Sequence, residues 1–181
     1  WEAKKENYKV LQSLIQSCKE QWDDKCVSLD LEGRWSRQNH LGLNVMEGLL
    51  ARGMEEEKAK SETTKPYIQT WKRDENDKST WIVSTFSVDG TTIRRKLTYA
   101  VGTWEEKYEG QSTLFGPSSS GGTVLTRRTF YVPEPDADMP RVAHVTVSQT
   151  PKGVEESRRY LKDDGRQMIL RRSFWSEGSG E

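Results

Sequence analysis

From Tyr67 onward, polar and apolar residues alternate with a period of two, and this alternation constrains the fold more than any other feature of the sequence. The clearest example is the pair of β-branched runs at residues 79–88 and 91–101, which Asp89 and Gly90 separate. An Asp-Gly pair between two such runs is typical of a β-hairpin, because both residues tolerate the positive φ angles of a tight turn. The pattern therefore predicts a series of antiparallel strands joined by hairpins.

The same reasoning predicts ten strands, separated by clusters of Gly, Pro, Asp and Ser that mark turns. The predicted strands are residues 31–37, 67–73, 79–88, 91–101, 103–109, 111–115, 123–132, 141–149, 154–162 and 167–175. An up-and-down sheet of this size removes its exposed edges most readily by closing on itself. The predicted fold is therefore mainly β: a ten-stranded antiparallel up-and-down β-barrel, wide enough to hold a ligand or water.

Two helices are predicted between the first and second strands, as a lid for the barrel. Within residues 41–53, four apolar side chains share one helical face, and Gly53 is a natural end point for that helix. Residues 54–64 predict a second, strongly charged helix or turn, which Pro66 ends. Because residues 55–62 carry almost no apolar face, this helix is expected to be solvated rather than to cover a ligand or dock on a membrane.

Residues 2–25 predict an additional N-terminal helix, because they contain no Gly or Pro and carry one apolar stripe. The stripe consists of Val10, Leu11, Leu14, Ile15, Cys18 and Trp22. Such a helix either packs on the outside of the domain or binds a partner protein. The predicted organisation is an N-terminal amphipathic helix over residues 1–28, a barrel over residues 29–176 and a flexible tail over residues 177–181.

The composition excludes several classes of protein. The 28 Lys and Arg residues balance 28 Asp and Glu residues, which argues against a nucleic-acid-binding protein. Hydrophobic residues make up only 33% of the chain and no apolar run is long enough for a transmembrane helix. Two Cys and two His do not suffice for a disulfide framework or a typical zinc site. We therefore expect no metal and no cofactor, and a barrel interior that is partly polar.

The printed sequence starts at Trp1 rather than at Met, which indicates a processed or trimmed chain. A targeting segment would then already be gone, so the compartment stays open. A soluble protein of an intracellular or organellar compartment is the expectation.

Five short motifs occur in a characteristic order along the chain. They are Gly33-Arg34-Trp35, the segment from Leu43 to Met54 with its Leu50-Ala51-Arg52-Gly53 exit, Lys65-Pro66-Tyr67, Ser84-Thr85-Phe86 and Leu170-Arg171-Arg172-Ser173-Phe174. In this order they resemble the intracellular lipid-binding (fatty-acid-binding) proteins of the calycin superfamily, over about residues 29–176. A weaker resemblance to dinoflagellate luciferase barrels rests on Gly33-Arg34-Trp35 and Gly53-Met54.

The resemblance to fatty-acid-binding proteins implies that residues of the last strands hold a ligand carboxylate inside the barrel. In the final strand, Arg172 shares one face with Phe174 and two further apolar residues, which makes Arg172 the predicted anchor. The alternative is that Arg172 pairs with an internal Glu or lies outside the barrel. Phe174 stands where the family has Tyr, so the phenol donor is missing.

The remaining candidate residues are aromatic or ionisable. Trp71, Trp81 and Phe86 are predicted cavity walls, with a hydrophobic core as the alternative role of the Trp residues. The strand at 141–149 offers His144 in place of a clear inward Arg, and His144 is a further predicted ligand contact. Paired with His40, it could also transfer protons. Glu105, Glu106 and Glu109 are expected to face solvent.

Three functions remain open on these grounds. The first is a non-enzymatic binding protein that holds a fatty acid, lipid or pigment-like molecule in the barrel. The second is a structural or accessory subunit that docks through residues 2–25. The third, a luciferase-like oxidase or chromophore lyase, has little support because no catalytic residues are identified.

Overall fold

The computed structural model describes residues 29–108, 123–134, 141–150, 153–162 and 165–176. The predicted N-terminal helix, the predicted strand at 111–115 and the predicted tail all lie outside these residues.

Nine strands and two α-helices occur in the described residues. The strands are β1 (Gly33–Ser36), β2 (Ile68–Arg73), β3 (Trp81–Phe86), β4 (Ile93–Tyr99), β5 (Gly102–Tyr108), β6 (Thr123–Glu134), β7 (Arg141–Thr150), β8 (Gly153–Leu161) and β9 (Met168–Ser176). The helices are α1 (Val45–Ala51) and α2 (Glu56–Thr64), and a short 3-10 helix (Asn39–Leu41) precedes them. A mainly β chain with two helices after the first strand is thereby confirmed.

The strands form two antiparallel sheets rather than the single closed barrel that the strand count predicts. Sheet A has the order β1-β2-β3-β4 and sheet B the order β5-β6-β7-β8-β9. Within the described residues, backbone pairing is interrupted between β4 and β5, where charged side chains bridge the seam instead. The short strand β1 pairs only with β2 among these residues. The prediction of closure is corrected accordingly, and the tenth strand lies outside the described residues.

Local sequence explains the helices. Gly53 has a φ of 78° and donates its N–H to Leu50, so the chain leaves α1 in the left-handed conformation that favours Gly. Helix α2 begins with Glu56 and Glu57, which suit the positive end of the helix dipole. Among its residues only Ala59 is buried, as the charged sequence predicts.

An aromatic core joins the two sheets. The indole N–H of Trp81 in sheet A donates to the hydroxyl oxygen of Tyr131 in sheet B over 2.9 Å. The Trp71 ring stacks on Tyr99 at 5.6 Å between centroids and contacts His144 edge-on at 5.6 Å. The buried members of this core are Leu29, Leu31, Trp71, Trp81, Val83, Tyr99 and Tyr131. Four of these seven residues are aromatic, so large rings form much of the core between the sheets.

Candidate ligand-binding site between the two sheets

The inner face of sheet B, meaning the face turned toward sheet A, is polar and mostly buried. Strand pairing aligns these inward residues into one continuous surface across all five strands. Its polar members are Glu106, Arg127, Thr129, His144, Thr146, Ser148, Glu155, Ser157, Arg159 and Arg172. Buried polar groups require partners, so the contacts of each group show where a ligand is needed.

The first group of charges centres on Glu106. Glu106, which is 6% exposed, accepts from Arg127 Nη2 at 2.6 Å and also pairs with Arg95 of sheet A. Arg127 Nη1 donates to the Ser148 hydroxyl at 2.5 Å. This triad bridges the seam between β4 and β5. The expectation that Glu106 faces solvent is wrong: the pleat directs Glu106 inward and its neighbour Glu105 outward.

A second group of charges ties helix α1 to sheet B. Arg52, just beyond α1, places Nη1 2.8 Å from Glu155 Oε2 on the inner face of β8. Its Nε donates to the Gly48 carbonyl at 2.8 Å. Burial alone would raise the pKa of Glu155, but the positive charges of Arg172 and Arg52 outweigh that effect and lower it. Glu155 therefore remains an anion between these two arginines.

Arg172 lies on the inner face of β9, opposite the buried Ser157 of β8. Solvent reaches its side chain, although the surrounding protein partly desolvates the guanidinium. The charge of Glu155 and the phenols of Tyr67 and Tyr99 more than offset this desolvation and raise the pKa of Arg172. Within the described residues, Arg172 makes no hydrogen bond or ion pair. Arg172 is therefore an accessible cation on the inner face, and its charge favours the approach of an anion.

His144 and Arg159 form the deepest polar pair of the site. The His144 ring is fully buried and meets Trp71, Tyr99 and Tyr131 edge-on, with centroids 5.4–5.6 Å apart. Among the described residues, no other residue forms a hydrogen bond with either of its ring nitrogens, and Arg159 Nη1 has no partner there either. Burial, together with the nearby charge of Arg159, lowers the pKa of His144 well below its usual value, so the imidazole is neutral.

Aromatic faces replace the missing partners of Arg159 only in part. Its guanidinium lies 5.1 Å from the Trp71 ring centroid and 5.5 Å from that of Tyr99. Burial lowers the pKa of Arg159, and the nearby positive charge of Arg172 acts in the same direction. The pair of inward arginines therefore favours the approach of a negative group.

The predicted site residues fall into three places. Trp71, Trp81 and His144 meet in the buried aromatic core, while Arg172 and Phe174 share the inner face of β9. Phe86 lies apart at the end of β3, where the strand register shifts. There the Arg34 guanidinium covers its ring at 4.7 Å.

Sequence reasoning missed Arg159, Glu155 and Arg127. The strand at 154–162 was predicted, but a strand presents two faces and its sequence alone does not say which is inward. The alternation Gly153, Glu155, Ser157, Arg159, Leu161 is visible in the sequence. The Ser and Gly residues of this alternation are too small to fill a core. They were the signal in the sequence that could have identified this face as part of the site.

A separate cleft of about 300 Å³ lies beside the helices. Its lining includes Arg37, Val45, Met46 and Thr63, and none of the predicted ligand-binding residues. Arg37 is already engaged, because it donates to the backbone oxygens of Glu62 and Lys65 at 2.7 and 2.5 Å. The cleft therefore offers less unpaired polarity than the inner face.

The described part of the chain contains no group of three or more His, Cys, Asp or Glu residues that could hold a metal ion. Across the same residues, every helix is too short or too polar to traverse a lipid bilayer.

The fold is similar to that of a solved structure of a mutant of the REP1-NXSQ fatty acid transporter. The TM-score is 0.50 and the sequence identity 18%, and the match covers 82% of this chain and 98% of that chain. The two proteins share a fold. No protein-family model and no curated protein matches the sequence. The predicted likeness to lipid-binding proteins is supported at the level of fold, and the narrower assignment to the calycin superfamily stays a prediction.

Proposed function

We propose that this protein is a non-enzymatic binding protein for a hydrophobic small molecule with an anionic end, of the fatty acid, lipid or pigment class. The ligand lies between the two sheets and directs its anionic end at Arg172 and Arg159. The observation that carries the proposal is a set of buried polar atoms on this inner face that have no hydrogen-bond partner among the residues the structure describes. They are Arg159 Nη1 and both ring nitrogens of His144, and they lie beside the accessible Arg172.

Unpaired buried donors destabilise a fold by about 1–3 kcal/mol each, so a ligand that supplies hydrogen-bond acceptors to them would stabilise the folded protein. Glu106 already forms ion pairs with Arg95 and Arg127, and Glu155 is bonded to Arg52. Within the described residues of the inner face, Arg159 and Arg172 are therefore the arginines that have no carboxylate bonded to them. A carboxylate can accept two hydrogen bonds from one guanidinium, which suits Arg172.

Apolar side chains of the same inner faces would contact the rest of the ligand. Met168, Leu170 and Phe174 flank Arg172 along β9, and Leu97 lies on the inner face of β4. Transfer of an alkyl chain to such a surface contributes about 0.8 kcal/mol per buried methylene. Apolar burial would then supply affinity, and the arginines would select the charge of the ligand.

We expect Arg172→Ala to weaken oleate binding by roughly 10–100-fold, because a charge-assisted hydrogen bond contributes about 1.5–3 kcal/mol. Oleyl alcohol, which has the same chain but no charge, should bind the variant and the unchanged protein equally. Isothermal titration with both probes measures the two affinities. Native mass spectrometry of the gently purified protein tests in parallel for a retained ligand.

The matched control is Arg171→Ala, because Arg171 is the adjacent residue on the opposite, outward face of β9 and is exposed. It should leave both affinities unchanged. Equal loss of oleate binding in the two variants would show a general charge effect and contradict the role of Arg172.

The accessory-subunit hypothesis has one observation in its favour: the protein's own side chains fill much of the inner face. Thr129, Thr146 and Ser157 are all buried there. If neither probe binds and no ligand is retained after purification, the site is closed and this second function is the better one.

A further inference from the structure

The outer face of sheet B turns away from sheet A, so its residues should be exposed, but part of this face is buried. Ala143 and Val145 alternate with the inward residues His144 and Thr146 along β7, so they point outward. Both nevertheless have 0% exposed surface.

Sheet A provides an internal comparison. Ile82 points outward from β3, an interior strand like β7, and is flanked by Lys72 and Thr98 on the neighbouring strands. Ile82 keeps part of its surface accessible, although it is larger than Val145. The small Ser84, two residues further along the same face, is itself 9% exposed, so an outward position on an interior strand does not by itself give the 0% exposure of Ala143 and Val145.

The burial is confined to one end of β7. Along its outward positions, Ala143 and Val145 are buried, Val147 is half-buried and Gln149 is exposed. Whatever covers the sheet therefore lies over the beginning of this strand. Half-buried outward residues of β6 and β8 extend the covered area to both sides: they are Phe130, Val132, Arg158 and Tyr160.

The two described helices do not explain the cover. Helix α1 contacts α2 and β9, and Arg52 beyond it reaches sheet B through the inward-facing Glu155. The contact of Arg52 therefore lies on the inner side of the sheet.

The first described residues lie at the covered end. Leu29 and Leu31 belong to the same core as Tyr131, and Val142 and Leu161 pack against that core. Val142 is near the beginning of β7, and Leu161 ends β8. The 28 residues that precede Leu29 therefore join the domain beside the covered area.

We propose that the outer face of β6, β7 and β8 is the docking surface for residues 1–28 of the same chain. A helix over residues 2–25 would be about 36 Å long, enough to run along a ten-residue strand of about 33 Å. Its apolar stripe would lie on Phe130, Ala143 and Val145, and its charged side would face solvent. The N-terminal segment is then an integral layer of the domain rather than a free partner-binding arm.

A thiol-protection experiment on the full chain tests this assignment. The background is Cys18→Ser with Cys26→Ser, which removes both natural cysteines, and Val145→Cys places one reporter thiol on the covered face. We expect this thiol to react with a maleimide at least about tenfold more slowly than the thiol of Ile82→Cys on sheet A. Adding Leu14→Asp, in the apolar stripe, should abolish most of the protection.

Gln16→Asp is the matched control, because it lies on the opposite side of the predicted helix and should leave the protection intact. Protection that survives Leu14→Asp would overturn the proposal and assign the cover to another segment, such as residues 135–140. Thiol reaction that is as fast in Val145→Cys as in Ile82→Cys would overturn it as well.

A cross-link provides a second measurement if Leu14→Asp prevents folding. Cys18 is kept, Cys26→Ser removes the other thiol, and Arg158→Cys adds one on the docking surface. A short bismaleimide should join these two thiols within one chain, independently of protein concentration. Ile82→Cys in the same background should give no such product. Equal cross-linking of the two variants, or a product that forms only between chains, would contradict intramolecular docking.

Discussion

Replacing Glu106 with glutamine is expected to lower the free energy of unfolding by about 3–5 kcal/mol, because the change leaves buried guanidinium charge without a counter-ion. Glu106 is 6% exposed and accepts hydrogen bonds from Arg127 through Nε and Nη2 at 2.7 and 2.6 Å. It also pairs with Arg95 across the seam between β4 and β5. The substitution would therefore remove the link that holds the two sheets together where backbone pairing is absent.

Glu105→Gln is the control for this prediction, since it makes the same chemical change one residue earlier on the exposed face of β5. It should alter stability by less than about 0.5 kcal/mol, as surface substitutions generally do. Urea unfolding at neutral pH, followed by Trp fluorescence, measures both variants. Identical midpoints for the two would show that the triad does not stabilise the contact between the sheets.

The second large effect is a loss of stability on acidification that depends on His144. The folded protein keeps this imidazole neutral, because burial and the charge of Arg159 lower its pKa well below 6.5. The unfolded chain takes up a proton below about pH 6.5, and the folded chain does not. Stability should therefore be complete above pH 6.5 and fall by about 1.4 kcal/mol per pH unit as the pH decreases below that value.

Between pH 6.5 and about pH 5, the effect of His144 on stability can be measured separately from that of the carboxylates, whose ordinary pKa values lie near 4. Glu155 has a lowered pKa, so its stabilising charge persists through this window and is lost only at more acidic pH, below 4.5. Stability measured by urea unfolding at several pH values should lose its slope in His144→Gln. His40→Gln should retain the slope, because His40 is exposed. A slope that is the same in all three proteins would contradict the assignment to His144.

Local signals in the sequence predicted the strands and helices well. The Asp89-Gly90 signal predicted strands at 79–88 and 91–101, and the structure has β3 at Trp81–Phe86 and β4 at Ile93–Tyr99. Gly90 takes a φ of 74° in the turn between them. Such features can be predicted from the sequence because turn chemistry and residue periodicity depend on a few neighbouring residues.

The sequence predicted only part of the candidate site. Arg172 and Phe174 were predicted to share a face, and the pairing of β8 with β9 places both inward. Their role as ligand contacts stays a prediction. Glu106 was expected to face solvent, although it lies in the buried triad. A period of two separates the faces of a strand without saying which one is inward, so a shift of one residue reverses the prediction.

The sequence by itself determined the antiparallel hairpins, the two helices and the low apolar content, because each depends on local residue chemistry. The tertiary structure decided how the sheets meet and which charges face one another. The bond from Arg52 to Glu155 spans 103 positions of sequence, and the contact between Trp71 and His144 joins opposite sheets. Long-range packing determines these partners, and they cannot be inferred from the residue pattern of any single strand.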